Sequence, residues 1–152
     1  MRTLLVSLSE HPLAMLRGIA ELRGVELASN ARDEAAAQLA AALGEEAATA
    51  AAVQDLSGKA QAAWTALRRA GGQMKTAAFA REHGEIRAVG PGRLEREATW
   101  RQPENAAEEL WYRGLIFRTF ADFGDGPMEY LYIPEDLPLP PDAGAASAQA
   151  AR

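Results

Sequence analysis

The sequence predicts a mainly α-helical fold that ends in one small β-hairpin, an α+β arrangement. Two observations carry this. Apolar residues recur at three- and four-residue spacing in six separate runs between residues 12 and 114. A stretch rich in β-formers occurs once, in 115–133, where Gly124-Asp125-Gly126-Pro127 splits it in two. Close to half of the chain is apolar, so a core can be buried, but much of that share is alanine. The few large side chains therefore carry most of the packing.

The first helix begins near Pro12, a residue that a first turn tolerates, and aligns Leu13, Leu16, Ile19, Ala20 and Leu22 on one side. Ser7 with Glu10 has the pattern of a capping box ahead of it, with Ser9 as the alternative cap. Gly24 ends this helix, and Val25 to Ser29 reads as extended. Asn30 caps a second helix, with Asp33 and Glu34 in the first turn, where the helix dipole favours acids. Its apolar stripe is Ala36, Leu39, Ala40 and Leu43, and Gly44 stops it. A third helix, Glu45 to Leu56, buries Val53 and Leu56. Leu56-Ser57-Gly58 reads as a hinge, so two units are expected, 1–57 and 58–134.

In the second unit a helix from Lys59 to Ala70 turns Trp64 and Leu67 inward, and Gly71-Gly72 breaks it. Thr76 to His83 forms a short helix anchored by Phe79 and closed by Gly84. Residues 84–102 read as a long polar connection. Pro103 suits the first position of a third helix, whose apolar face is Ala106, Ala107, Leu110 and Trp111 and whose end is Gly114. Leu115–Phe123 and Met128–Ile133 pair as the hairpin. Three helices followed by a hairpin is the element order of a winged helix, a module that most often touches DNA. Residues 135–152, rich first in proline and then in Ala, Gly and Ser, read as a disordered tail or linker.

Charge is distributed unevenly. Net charge is −4 over residues 1–58, +4 over 59–118 and −5 over 119–152, for −5 in all. The positive segment supplies the candidate DNA contacts. Arg87, Arg93, Arg96 and Arg101 lie on the glycine-containing connection, and Arg68, Arg69 and Lys75 support them as phosphate ligands. Arg113, with Asn105, could read a base edge from the third helix. The alternative is a solvated loop, because Glu85, Glu95 and Glu97 interleave with the arginines and local ion pairs are worth little. Glu104, Glu108 and Glu109 would repel phosphates, which disfavours sequence-specific reading of the major groove. The hairpin aromatics Phe117, Phe120, Phe123, Tyr130 and Tyr132 either cover the helices or leave an open face for a partner. Trp111 belongs in the core rather than against a base.

Other chemistry finds no support in the residues. The chain has no cysteine, which excludes disulfides and thiolate metal sites. His11 and His83 stand in no ligand spacing, so no metal is expected. Gly90-x-Gly92 has no strand before it and no P-loop lysine. No nucleophile motif accompanies a credible base, so neither an enzyme nor a cofactor is expected. No run of about 18 apolar residues occurs, and Leu4 to Leu8 is too short for a secretory segment, so a soluble cytoplasmic protein without membrane contact is expected. Arginine (14) far outnumbers lysine (2), a bias typical of GC-rich bacterial genomes.

Two resemblances follow from these residues. The pattern Leu13-x-x-Leu16-x-x-Ile19-Ala20, Gly24-Val25-x-Leu27, Glu34-Ala35 and Leu39-x-x-x-Leu43 resembles a SAP-like helix–extended-loop–helix motif, which implies a small nucleic-acid-binding element. The segments Leu16 to Leu27, Gly90-Pro91-Gly92-Arg93 and Leu110-Trp111-Tyr112-Arg113-Gly114-Leu115 look like bacterial proteins carrying a domain similar to the N-terminal domain of XPB-type helicases. No helicase motif accompanies them, so the resemblance implies an accessory role. Two functions are thus expected. One is a non-enzymatic accessory protein in transcription, repair or helicase assembly that binds DNA largely without sequence preference. The other is a protein–protein adaptor docking through the acidic third helix and the aromatic hairpin, with another protein or a further domain as its partner.

Overall fold

The computed structural model describes residues 2–139. Eight helices and three short strands follow one another in these residues. Helix α1 (Leu4–Ser9) precedes the first helix expected from sequence. Thr3 caps it through its hydroxyl, and Ser7 is not a cap but a buried residue whose hydroxyl meets Tyr132 Oη at 2.6 Å. Helix α2 (Leu13–Arg23) closes at Gly24 in the left-handed conformation. Helix α3 (Arg32–Leu43) starts two residues after Asn30, whose side chain instead accepts from Arg17 Nη2 at 2.9 Å. Helix α4 (Glu46–Gln54) follows directly.

Helix α5 (Gly58–Arg69) begins where Ser57 Oγ accepts from the Ala60 amide. Gly71 and Gly72, both at positive φ, turn the chain into strand β1 (Gln73–Lys75), and helix α6 (Thr76–His83) follows at once. The connection expected to be polar and irregular holds helix α7 (Pro91–Glu97) and a 3-10 turn at Thr99–Arg101. Leu94, Thr99 and Trp100 in it are buried. Helix α8 (Ala106–Tyr112) starts after an Asn105 side-chain cap, so Pro103 lies outside it. Strands β2 (Phe117–Ala121) and β3 (Met128–Tyr132) form the hairpin. Strand β1 pairs antiparallel with β3 on its other side, Gln73 opposite Tyr132, giving a three-stranded sheet in the order β1-β3-β2.

The fold is mainly α with this small antiparallel sheet. One core runs through both expected units. Leu16 and Ile19 of α2, Leu39 and Leu43 of α3, Trp64 and Leu67 of α5, and Leu110 and Tyr112 of α8 all belong to it. Helix α2 lies at its centre, packed on α3, α7 and α8. The close approach is visible at Gly114, where a Cβ would sit 3.0 Å from Ile19 and 3.3 Å from Leu43. The hinge expected at Ser57 therefore does not separate two cores. The chain after β3 also begins ordered. Glu135 N donates to Arg2 O at 3.0 Å, Asp136 accepts from Leu4 N at 2.7 Å, and Leu137 is buried. The rest of the expected tail, from Pro140, lies outside the described residues.

Candidate functional site

The arginines expected to face phosphate mostly face carboxylates of this chain. Arg87 is the clearest case. Glu108, whose side chain is fully buried, accepts from Arg87 Nε at 2.8 Å, Arg87 Nη2 at 2.9 Å and the Arg87 amide at 2.8 Å. The Glu104 amide adds a bond at 2.9 Å, and Glu104 Oε1 stands 3.2 Å from Arg87 Nη1. Burial pushes the Glu108 carboxyl up; the bonds from the Arg87 guanidinium and the two amides outweigh it and hold the carboxyl below its ordinary range.

Arg101 makes a two-pronged pair with Glu21, at 2.8 and 2.6 Å, and Trp100 Nε1 donates to the same carboxylate. The Arg101 and Trp100 hydrogen bonds lower the Glu21 carboxyl to about 2. Arg93 pairs with Glu97 one helical turn on, at 2.9 Å. Lys75 stands 3.8 Å from Asp125. Arg68 and Arg69, at the end of α5, are engaged as well. Arg113 Nη1 reaches Glu109 O at 3.4 Å, and the Arg113 carbonyl accepts from the half-buried Arg23 guanidinium at 2.8 Å. Burial first, and Arg113 second, lower the Arg23 guanidinium to about 10. Of the eight expected contacts, Arg96 alone is exposed with no hydrogen bond or ion pair among the described residues.

The third helix of the expected winged helix is no probe for a groove. Ala106, Ala107, Glu108, Leu110 and Tyr112 of α8 are all buried, against α5, α6 and α2. Its acids have partners within the chain: Glu108 and Glu104 hold Arg87, and Glu109 accepts from Ser57 N at 2.7 Å and Ser57 Oγ at 2.9 Å. Trp111 is half-buried rather than core. The Arg118 guanidinium lies 4.6 Å from its ring centroid, and His11 meets it edge-on at 5.0 Å.

What the surface offers instead is the far end of the hairpin. Phe117, Tyr130 and Tyr132 are buried, whereas Phe120 is 71% exposed and Phe123 58%, with Met128 also exposed. Phe123 stands edge-on to Tyr130 at 5.0 Å, which keeps it on the sheet. Between this end and α6 runs a groove of about 790 Å³ with Ile86, Phe120, Pro127, Met128 and Leu131 along it. Lys75, Arg81 and Arg118 stand around it, with Glu85 and Glu129. The aromatic run marks this face in the sequence; Arg118, the cation inside that run, carries no such signal, because its ring partner Trp111 comes from α8.

In comparisons with protein-family models, curated proteins and solved structures, nothing matches the chain. Among the described residues, no helix is long and apolar enough to cross a membrane.

Proposed function

We propose that this chain is a non-enzymatic accessory module that docks a partner protein through the groove between α6 and the end of the hairpin. The observation that carries the reading is Phe120, 71% exposed along that groove with the exposed Met128, on a protein whose large aromatics other than Phe123 are buried or half-buried among the described residues. Exposing the Phe120 ring forfeits the benefit of burying it, about 2–3 kcal/mol, unless another surface covers it. The occupant is a segment of a partner that brings apolar side chains to Phe120, Met128 and Leu131.

The scaffold is, on this reading, winged-helix-like. Helices α5, α6 and α8 with strands β1, β2 and β3 stand in the helix and strand order of that module, with α7 and its flanks inserted between the second and third helices. A cytoplasmic accessory role in a DNA-processing assembly, as the resemblance to the XPB-type N-terminal domain implies, fits such a scaffold. DNA contact by the chain itself is the weaker reading, since Arg87, Arg93, Arg101 and Lys75 are matched by carboxylates of the same chain.

Selection from a random peptide library on the immobilised protein tests the docking reading, with Phe120→Ser as the counter-screen. Peptides that bind the native chain and not the variant are expected; their absence overturns the reading. In parallel, anisotropy titrations with labelled duplex and single-stranded DNA at two salt concentrations are expected to show no saturable binding. Binding that falls steeply with salt and weakens when Arg81 and Arg96 are neutralised would put the DNA reading in its place.

A further inference from the structure

A second cavity, of about 300 Å³, opens between the α1–α2 turn, α7, α8 and the start of β2. Met15, Leu94 and Phe117 give it apolar walls. Most of its polar groups are already matched. Arg87 holds Glu108, Glu10 is paired with Arg2, the Ser7 hydroxyl meets Tyr132, and the Tyr112 hydroxyl meets Thr99. Two groups remain. Arg118 lies over the Trp111 ring, 4.6 Å from its centroid, and has no carboxylate partner among the described residues. His11, buried in the same wall, leaves its Nε2 without a hydrogen-bond partner. A buried polar atom left unmatched is uncommon and calls for an explanation.

We propose that this cavity is a binding site for a small organic monocarboxylate with an apolar body, its carboxylate received by the Arg118 guanidinium and its body held among Met15, Leu94, Phe117 and Trp111. The planar guanidinium fork matches a carboxylate in two-point geometry, and its contact with the face of the indole holds the cation at the wall of the cavity. A phosphate dianion fits poorly, because only one cation is uncommitted. Burial first, and the nearby Arg118 second, lower the His11 imidazole to about 4, so it adds no second charge at neutral pH. A neutral imidazole can still donate one hydrogen bond to the bound acid. The volume is at the small end for ligand pockets and suits a single ring or a short branched chain. This site is separate from the docking groove, although Arg118 borders both.

The test uses benzoate as the probe, benzamide as its neutral counterpart and inorganic phosphate as the competing anion. The readout is the Trp111 indole N–H resonance, assigned with Trp111→Phe. Benzoate is expected to shift it saturably, with benzamide and phosphate weaker by roughly tenfold or more. Arg118→Gln is expected to weaken benzoate by roughly tenfold, Arg118→Lys by less, and Arg93→Gln on the outer side of α7 not at all. The proposal is overturned if no saturable shift occurs up to about 10 mM, well beyond a useful affinity. It is equally overturned if benzamide or phosphate matches benzoate, or if a folded Arg118→Gln protein, checked by circular dichroism, binds benzoate as the native chain does.

Discussion

Replacing Arg87 with methionine distinguishes a structural arginine from a phosphate ligand. Methionine keeps most of the aliphatic stem and removes the guanidinium. Glu108 then loses the bonds at 2.8 and 2.9 Å from the side chain and keeps only the Arg87 and Glu104 amides, while its own side chain stays fully buried. Breaking a buried ion pair from one side costs about 3–5 kcal/mol, because the remaining charge is stranded. The two surviving amide bonds and the partial exposure of Arg87, 26% for its side chain, place this case near the lower end, about 3 kcal/mol. At roughly 2–4 °C per kcal/mol for a chain of this size, Tm should fall by about 6–12 °C. Urea unfolding followed by circular dichroism at pH 7 measures the loss directly.

The pH dependence gives a second check on the same variant. In the native chain Glu108 is held below the ordinary carboxylate range, so its contribution is present above the unfolded pKa and is lost as pH falls through the lower folded one. Without Arg87 the carboxyl rises and takes up a proton earlier, so the deficit of the variant should begin to shrink as its carboxyl protonates and close as pH falls through the lower pKa of the native one. The double variant Arg87→Met with Glu108→Leu should recover most of the loss, since removing both partners leaves no stranded charge. A loss below about 1 kcal/mol for Arg87→Met at neutral pH would refute the reasoning and return Arg87 to the pool of cations available to DNA.

Three further outcomes are expected. His11 stays neutral in the fold down to about pH 4, whereas in the unfolded chain it protonates near 6.5, so stability should decline as pH falls through that window by about 3 kcal/mol; in His11→Phe, urea midpoints at pH 7 and pH 4.5 should lie closer together. Gly18 lies under the Trp100 ring, with room for a Cβ only 2.7 Å from it, so Gly18→Ala should destabilise the chain by about 1–3 kcal/mol by overpacking, read as a lowered Tm. Phe120→Ser, at a position 71% exposed, should leave stability within about 0.5 kcal/mol of the native chain, which thermal unfolding checks before any binding assay is interpreted.

What could be read along the chain was whatever local chemistry decides. Gly24 and Gly114 end helices α2 and α8 in the left-handed conformation, and the turn at 124–127 sets the hairpin, each through contacts within a few residues; Ser57, read as a hinge, is the cap of α5. The span of α6 follows from Phe79 and Gly84 in the same way. Strand β1 could not be read, because three residues show no alternation; it is a strand only because Tyr130, Leu131 and Tyr132 accept it as a neighbour. Trp100 looked like a loop residue and is buried because Gly18, 82 positions earlier, leaves a space for its ring.

The candidate site divides along the same line. The aromatic hairpin was visible from composition, and the exposure of Phe120 follows from side alternation once the pairing is known, whereas Phe123, beyond the end of β2, lies against Tyr130 on the other face. The charges were not visible, since a formal charge says nothing about its partner. Glu21 and Arg101 are 80 residues apart, Arg87 and Glu108 are 21, and Arg118 meets Trp111 only across the strand–helix packing. The sequence by itself determined the longer helices, the hairpin and the excess of cations in the middle of the chain, because backbone preference and apolar spacing act over a few residues. The tertiary structure alone decided which cations remain free, because Coulomb and hydrogen-bond energies depend on distances that folding sets.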